Sequence, residues 1–106
     1  MAGTLEKLED TIAKRRVSDP ALSYVAKLTA RGRGKIAQKV GEEAVETVIA
    51  AIQGDRAAVT SESADLLFHL LVLLADMGVP LADVLAELEQ REGTSGLAEK
   101  AARKES

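Results

Sequence analysis

The chain contains no cysteine, and its aromatic residues are limited to Tyr24 and Phe68. Without cysteine, neither a disulfide framework nor a thiolate metal site is possible, and a reducing compartment is compatible. The apolar residues, 46% of the total, are mainly alanine, leucine and valine. This composition suits close-packed helices better than a sheet, which draws on β-branched and aromatic residues. We therefore expect an all-α protein.

The chain also lacks an excess of positive charge and a long apolar run. Its formal net charge is -3 and its pI is near 5.2, whereas proteins that bind nucleic acid or anionic membranes usually present a net basic face. The N-terminus MAGTLEKLED has no apolar signal core, and the longest apolar run, Leu70 to Ala75, is far below a membrane span. We therefore expect a soluble cytoplasmic protein, with neither nucleic acid nor a membrane as its partner.

A length of 106 residues suits one compact domain, and the spacing of apolar residues predicts four to five helices in it. Four of these helices are expected at residues 4–16, 21–31, 35–53 and 81–91. The remaining one, fourth in order, is expected to begin between residues 55 and 61 and to end at residue 77. The expected architecture is an all-α bundle. Residues 1–92 would form the domain, and the polar residues 93–106 would form a loosely ordered tail unless they pack on a partner.

Serine, proline and glycine predict where the helices begin and end. The segment SDP, Ser18 to Pro20, supplies a cap candidate followed by a proline at the first position of the second helix. The segment RGRGK, residues 31–35, is predicted to be a short mobile connection. Gly54 follows the third helix as its C′ residue. Gly41 lies inside the third helix, where glycine costs roughly 1 kcal/mol relative to alanine. Close helix packing is the favoured explanation for it, ahead of a direct role at a ligand.

Two acidic patches fall on successive predicted helices. In KVGEEAVE, Glu43 and Glu46 share a helix face, as do Glu62 and Asp65 in ESAD, while Glu42 lies about 100° around the helix from Glu43. The short connection favours antiparallel neighbours, so the patches can surround one volume. Converging carboxylates repel one another unless a cation is present. Oxygen-only ligands indicate Mg²⁺, Mn²⁺ or Ca²⁺.

Basic residues precede the first acidic patch. Lys39 and Lys35 lie one and two turns before Glu43 on nearly the same stripe, with Arg31 and Arg33 just upstream. A metal with ammonium groups beside it makes a cradle for a polyphosphate that water attacks. Each acidic pair alone is more often a solvated face, and the helix dipole would favour acidic residues in a first turn of the fourth helix. The combined pattern is more specific and predicts metal-dependent phosphate chemistry.

The pattern EExxE followed by ExxD resembles the motif of the all-α nucleoside triphosphate pyrophosphohydrolases of MazG type, whose carboxylates bind Mg²⁺. The segments SYVAKL, KIAQKVGEEAVE and ESADLLFHLLVLLADMGV look more closely like the phosphoribosyl-ATP pyrophosphatase family. The resemblance implies Mg²⁺-dependent hydrolysis of 1-(5-phosphoribosyl)-ATP to 1-(5-phosphoribosyl)-AMP and pyrophosphate, the second step of histidine biosynthesis. It also implies a homodimer whose helical bundles are completed between chains.

The resemblance implies that four carboxylates bind the metal, namely those of Glu43, Glu46, Glu62 and Asp65. Glu42 is expected to have a catalytic role, either orienting the attacking water or holding a second metal. Lys35 and Lys39 are assigned to the substrate phosphates, more from their shared stripe than from the family motif. His69 and Tyr24 are left out of the site, because a hydrogen-bonded core histidine and a packed aromatic are the more common outcomes.

Three alternatives bear on this hypothesis. A house-cleaning pyrophosphohydrolase of noncanonical or deoxynucleoside triphosphates would share metal and motif, although the near absence of aromatic residues for base stacking disfavours it. A carboxylate-bridged di-iron bundle needs Glu-x-x-His pairs, but Ile49 and Phe68 stand three residues after Glu46 and Asp65. A non-catalytic helical interaction module, with acidic faces for solubility, is the alternative of another class.

Overall fold

The computed structural model describes residues 3–93, and within that range the chain forms five α-helices and no strand. The helices are α1 (Thr4–Arg15), α2 (Tyr24–Ala30), α3 (Arg33–Ile52), α4 (Arg56–Met77) and α5 (Leu81–Glu92). The all-α prediction is confirmed, and α1, α4 and α5 begin and end within one residue of the predicted bounds. The predicted tail, apart from Gly93, lies outside the described residues.

Helices α3 and α4 form an antiparallel hairpin. The connection turns at Gly54, whose φ of 73° favours glycine, and Asp55 then caps α4 by accepting a hydrogen bond from the backbone N–H of Ala58 at 3.0 Å. The start of α3 meets the end of α4, because the Arg33 side chain bonds to Asp76. The predicted ends at Gly54 and Gly78 are confirmed, and the hairpin brings the two acidic patches onto neighbouring helices.

The second helix begins later than predicted. Residues 19–22 form a turn in which Asp19 accepts a hydrogen bond from the backbone N–H of Ala21 at 2.9 Å, and Ser23 rather than Ser18 caps α2 by accepting from the Ala26 N–H. The prediction of a helix opening at Pro20 is therefore wrong. The local Asp19 bond competes with helix formation, and Leu22, 86% exposed, would bury no apolar surface by joining the helix.

The segment RGRGK is not the mobile connection that was predicted. Only Arg31 and Gly32 lie between α2 and α3, and Gly32 reverses the chain with a φ of 96°. Arg33 is already helical, and its guanidinium bonds to the Asp76 carboxylate at 2.8 Å and to the Asp76 carbonyl at 3.1 Å. These contacts, over a distance of 43 residues in sequence, anchor the start of α3 where local sequence favours disorder.

The apolar core lies at one end of the hairpin. It joins α1, α2 and α5 to the beginning of α3 and the end of α4, and its buried side chains are Ile12, Val25, Leu28, Ile36, Leu71, Val72 and Leu81. Glu9 of α1 also accepts a hydrogen bond from the backbone N–H of Leu81 at 2.7 Å, which supplies the first turn of α5 with an acceptor. The opposite end of the hairpin extends beyond this core.

That opposite end, residues 45–64, is called here the outer half of the hairpin. It exposes an apolar stripe on α3 formed by Val45, Val48, Ile49 and Ile52. Gly41 opens the same stripe, and a Cβ atom there would meet nothing within 4 Å. Among the described residues, none packs closely against Gly41, so the favoured explanation finds no support within residues 3–93. The stripe is a surface that a second molecule can cover.

The second half of helix α4, residues 66–75, is apolar except for His69. By length and composition alone α4 could cross a membrane, although the core helix of a globular protein meets the same criteria. Leu71 and Val72 of this helix belong to the buried core. The large apolar side chains of α4 that stay exposed are Leu67 and Met77, which are 46% and 50% exposed.

Candidate active site

Three carboxylates from the two hairpin helices meet in one cluster, named here the acidic cluster. Glu43 of α3 and Glu62 and Asp65 of α4 each offer one oxygen, and these three oxygens lie within 4.8 Å of one another. Because α4 begins at Arg56, Glu62 and Asp65 lie beyond its first turn. The helix dipole acts within about one turn, so it does not account for these two carboxylates.

Glu43 is the innermost member of the cluster, with only 7% of its surface exposed. Its Oε2 lies 3.6 Å from the Lys39 ammonium group. Its Oε1 is buried, and within residues 3–93 no group donates a hydrogen bond to it. A buried carboxylate oxygen without a donor is costly, so this atom fits a site that receives a cation.

Glu62 shows the electrostatic effect of the crowding. Removal from water, followed by the negative charge of Glu46 and then by the adjacent Glu43 carboxylate, raises the pKa of the Glu62 carboxyl. Glu46 is therefore close enough to act on Glu62, although it is not one of the three residues with oxygens within 4.8 Å. A group of carboxylates that favours protonation also favours a metal cation, which compensates the same charge.

Lys39 lies between the acidic cluster and Glu42. Its ammonium group is 3.5 Å from a Glu42 oxygen, and the other Glu42 oxygen accepts a hydrogen bond from the Gln38 side chain at 2.8 Å. Burial lowers the pKa of Lys39, but Tyr24, Glu42 and Glu43 outweigh it and raise that pKa overall. The Gln38 hydrogen bond, assisted by Lys39 and Lys35, lowers the pKa of the exposed Glu42. Lys39 therefore stays charged, and Glu42 is a weak base.

An open groove of about 600 Å³ runs along α3 beside the cluster. Its lining residues all come from this one helix: Gln38, Lys39, Gly41, Glu42, Glu43, Val45 and Glu46. Gly41 keeps the floor of the groove low, because no side chain projects from it. Within the described part of the chain, no second element faces α3 across this space, so the groove has only one wall.

A second cavity, of about 200 Å³, adjoins the groove and is named here the basic cavity. It lies between α2 and the first half of α3, and its polar lining is Tyr24, Lys27, Arg31, Lys35, Lys39 and Glu42. Lys39 and Glu42 line both spaces. Sequence reasoning missed Lys27, although the basic residues at 27, 31, 35 and 39 recur every four positions.

Tyr24 and His69 are coupled at the edge of the basic cavity. The buried His69 places Nδ1 2.8 Å from the Asp65 carbonyl oxygen, which only accepts, so Nδ1 carries the proton. The other nitrogen, Nε2, then accepts from the Tyr24 hydroxyl at 2.8 Å. The expected hydrogen-bonded core histidine is confirmed. Tyr24 is only half-buried, so its ring also faces solvent at the cavity.

The structure thus brings together most of the residues that the sequence singles out. Glu43, Glu62 and Asp65 converge, with Glu46 acting on Glu62 from nearby. Of the basic residues, Lys39 contacts the cluster directly and Lys35 lines the adjoining cavity. Arg33 is directed away to Asp76. An oxygen-only cluster with an orphaned carboxylate oxygen suits a divalent cation such as Mg²⁺, Mn²⁺ or Ca²⁺.

An all-helical fold with a carboxylate cluster on two neighbouring helices, flanked by lysine ammonium groups, defines a class of helical protein suited to metal-bound phosphates. Comparison with known proteins narrows this class. The family model described as phosphoribosyl-ATP pyrophosphohydrolase matches residues 5–92. The chain is 74% identical over 103 residues to the phosphoribosyl-ATP pyrophosphatase of Rhizorhabdus wittichii, covering 97% of each chain.

Two further relatives carry the same name. The protein of Novosphingobium aromaticivorans is 66% identical over 93% of this chain and 92% of its own length. That of Azospirillum brasilense is 62% identical over 97% of this chain and 93% of its own. This chain therefore belongs to the phosphoribosyl-ATP pyrophosphohydrolase family, a family of hydrolases of histidine biosynthesis that act on a small nucleotide. The resemblance seen in its motifs is confirmed.

Proposed function

We propose that this protein hydrolyses 1-(5-phosphoribosyl)-ATP to 1-(5-phosphoribosyl)-AMP and pyrophosphate, with Mg²⁺ as its cofactor. In this reaction the anhydride bond between the α- and β-phosphates breaks, and water supplies the oxygen that completes the two products. Membership of the family supports the substrate. The single observation that supports the chemistry is the convergence of Glu43, Glu62 and Asp65 beside Lys39.

The cation would be held by the four carboxylates assigned from the motif: Glu43, Glu46, Glu62 and Asp65. Mg²⁺ supplies Lewis-acid stabilisation of the negative charge on the phosphates when it is bound. The orphaned Oε1 of Glu43 and the raised pKa of Glu62 support this ligand set. Both features describe carboxylates whose charge is only partly compensated by the described residues, and a divalent cation would compensate the rest.

The other two roles follow from position. Lys39 and Lys35 bind substrate phosphates, since both ammonium groups adjoin the groove or the cavity next to it. Glu42 orients the attacking water or holds a second cation. Its lowered pKa makes it a poor proton acceptor, so positioning suits it better than full removal of a proton.

A homodimer completes the fold in this proposal. The apolar stripe of Val45, Val48, Ile49 and Ile52 is exposed, and the groove beside it has one wall. A second copy would cover the stripe and face the groove. Ile52→Glu, on the most exposed of these positions, tests this by analytical ultracentrifugation. We expect a dimer in the parent protein and a shift toward monomer in the variant, and a parent protein that is monomeric at all concentrations would contradict the proposal.

The proposal extends to the domain and its location. Residues 1–92 would form the catalytic domain and residues 93–106 a tail outside it, in a cytoplasmic enzyme. Deletion of residues 94–106 tests this division, and pyrophosphate release by the shortened protein should match that of the full chain within about twofold. A larger loss would assign the tail to the active site.

One assay decides the function. Purified protein is offered 1-(5-phosphoribosyl)-ATP and a panel of ordinary, deoxy and noncanonical nucleoside triphosphates, each with and without Mg²⁺, and pyrophosphate release is compared. We expect turnover of phosphoribosyl-ATP to exceed that of every simple triphosphate and to require Mg²⁺. Equal or faster turnover of a simple triphosphate would favour the house-cleaning alternative. No turnover under any condition would leave the non-catalytic interaction module.

A further inference from the structure

The basic cavity between α2 and α3 concentrates positive charge outside the acidic cluster. Four cationic side chains line it against a single carboxylate, Glu42: Lys27 from α2, Arg31 from the junction, and Lys35 and Lys39 from α3. That carboxylate already bonds to Gln38 and contacts Lys39. Cations that converge on one space repel one another for the same reason that converging carboxylates do. The cavity therefore suits an anion.

Lys27 and Arg31 carry the excess positive charge, because Lys39 contacts Glu42 and Lys35 is close enough to act on that carboxylate. Within residues 3–93 neither forms a salt bridge or a side-chain hydrogen bond, and both are exposed. The nearby Arg33 differs, because its guanidinium is held by Asp76. Lys27 and Arg31 stand four residues apart at the end of α2, so they project from the same side of the helix toward the cavity that they line.

The cavity and the groove form one continuous surface. Lys39 and Glu42 line both, and the acidic cluster contacts Lys39 on the groove side. A ligand that binds across this boundary would meet the carboxylate-bound cation at one end and the unpaired Lys27 and Arg31 at the other. Such a ligand must be anionic at both ends.

The substrate in the proposed function has this property. 1-(5-Phosphoribosyl)-ATP carries a triphosphate at one end and the 5-phosphate of its phosphoribosyl group at the other, whereas ordinary nucleoside triphosphates carry only the first. We propose that Lys27 and Arg31, with Lys35, bind the phosphoribosyl 5-phosphate in the basic cavity and so select this substrate over simple triphosphates. This inference rests on the proposed function and adds a specificity site to it.

Tyr24 gives the basic cavity a fixed wall. Its hydroxyl donates to His69, whose other nitrogen donates to the Asp65 carbonyl, so the phenol is tied to α4, which carries two of the three residues of the acidic cluster. Its ring packs against Phe68 with centroids 6.2 Å apart. A hydroxyl that has given its proton keeps lone pairs that can accept. The ribose hydroxyls of a bound phosphoribosyl group would meet such an acceptor beside the cations.

A purely structural role for Lys27 and Arg31 makes a different prediction. Cations near the end of a helix are favoured by the helix dipole, and such residues stabilise the fold without affecting substrate choice. The two roles can be separated. Loss of a helix-dipole interaction lowers the melting temperature but does not change the preference of the enzyme among its substrates. Loss of a phosphate contact changes the KM for phosphoribosyl-ATP and leaves the KM for a simple triphosphate unaltered.

The kinetic test uses the double variant Lys27→Gln with Arg31→Gln in the full chain. We expect its KM for phosphoribosyl-ATP to rise at least about tenfold with kcat within about threefold, the pattern of lost binding shared by ground and transition state. Its kcat/KM for ATP should change less than about twofold, so the preference for phosphoribosyl-ATP falls by the same tenfold. Lys27→Arg with Arg31→Lys keeps both charges and should stay close to the parent protein.

A matched control removes the same charges elsewhere. Lys7→Gln with Arg56→Gln changes two basic residues on α1 and α4 that line neither the groove nor the basic cavity. We expect this control to leave both KM values unchanged within about twofold. The inference is overturned if the Lys27 and Arg31 variant keeps the parent KM for phosphoribosyl-ATP, or if the control raises it equally.

A binding measurement separates this inference from the proposed function. Ribose 5-phosphate is titrated into metal-free protein containing a chelator, and binding is followed by NMR chemical-shift changes. We expect saturation in the parent protein and in Glu43→Gln, with loss of binding in the Lys27 and Arg31 variant. Equal binding in that variant, or no shift changes at concentrations on the order of 10 mM, overturns the inference. If the protein binds ribose 5-phosphate as expected but does not turn over phosphoribosyl-ATP, the result contradicts the proposed function and leaves this inference standing.

Discussion

Two charged clusters lie toward opposite ends of α4 and differ in how their charges are matched. Near the C-terminal end, Asp76 accepts hydrogen bonds from Arg16 at 3.0 Å and Arg33 at 2.8 Å. Toward the other end, Glu62 and Asp65 meet Glu43 of α3 with a single ammonium group, that of Lys39, in contact. The first cluster has two cations for one carboxylate, and the second has three carboxylates for one shared cation.

The difference separates a structural cluster from a site. The cluster at Asp76 joins α1, α3 and α4 through direct bonds, so it holds the start of α3 in place without a ligand. Each cluster contains one buried atom without a hydrogen-bond partner within residues 3–93, Arg16 Nε in the first and Glu43 Oε1 in the second. The acidic cluster differs because its three carboxylates share a single cation, and such an unmatched group of charges marks a candidate site for a ligand. The basic cavity is the corresponding case for positive charge, since its cations are also largely unmatched by carboxylates.

The largest expected effect is on catalysis at the acidic cluster. Glu46→Gln and Glu43→Gln should each lower kcat/KM for phosphoribosyl-ATP by about a thousandfold or more, because a Lewis-acid cation contributes several kcal/mol at about 1.4 kcal/mol per factor of ten. Pyrophosphate release measures the activity, and circular dichroism should show the parent helical content. Retained activity in Glu46→Gln would remove that residue from the ligand set.

The second effect is stabilisation by metal. Mg²⁺ at about a hundred times its dissociation constant should stabilise the folded protein by about 2.7 kcal/mol, which raises the melting temperature by about 10 °C for a domain of this size. The shift should disappear in Glu43→Gln. An equal shift in that variant would place the cation elsewhere, and no shift in the parent protein would support a solvated acidic face.

The third effect is on stability at the matched cluster. Asp76→Asn should lower the free energy of unfolding by about 2 kcal/mol, mainly because it leaves the partly buried Arg16 without its carboxylate. Arg33 is more exposed, so its share is small. Urea unfolding measures the change. Asp10→Asn, on the exposed face of α1, serves as the control, and an equal loss there would show that Asp76 has no special role.

The smallest effect is a dependence of stability on pH. In metal-free protein, burial and the neighbouring carboxylates raise the pKa of Glu62 above its ordinary 4.5, so the folded state holds this proton more tightly than the unfolded state. The contribution of Glu62 to stability therefore falls as pH rises through the raised pKa. Glu62→Gln should melt higher than the parent at neutral pH, with the difference closing near pH 4. A difference that is independent of pH would contradict the raised pKa.

Much of the fold could be predicted from local sequence. The beginning of α4 and the turns at Gly54 and Gly78 follow from the Asp55 cap and from the glycines, whose effects extend over only a few residues. The hairpin itself follows from the short connection between two long helices. The convergence of Glu43 with Glu62 and Asp65 could be anticipated for the same reason, since antiparallel helices place their facing residues together.

The start of α2 and the junction after it could not be predicted in this way. Pro20 is compatible with a first helical position, but the Asp19 side chain captures the Ala21 N–H, and Leu22 finds no apolar surface to join. Glycines at 32 and 34 favour a mobile segment on local grounds. The contact of Arg33 with Asp76 overrides that preference, because long-range bonds offset the entropy of ordering a short segment.

Arg31 and Arg33 illustrate the limit best. Both belong to RGRGK, two residues apart, and their sequence neighbourhoods are nearly identical. Helix type, helix ends and the facing carboxylates depend on local propensity and hairpin geometry, which are encoded within a few turns of chain. The choice of which arginine stabilises the fold and which lines the basic cavity depends on where Asp76 lies, and the packing of α4 against α1 and α3 decides that position.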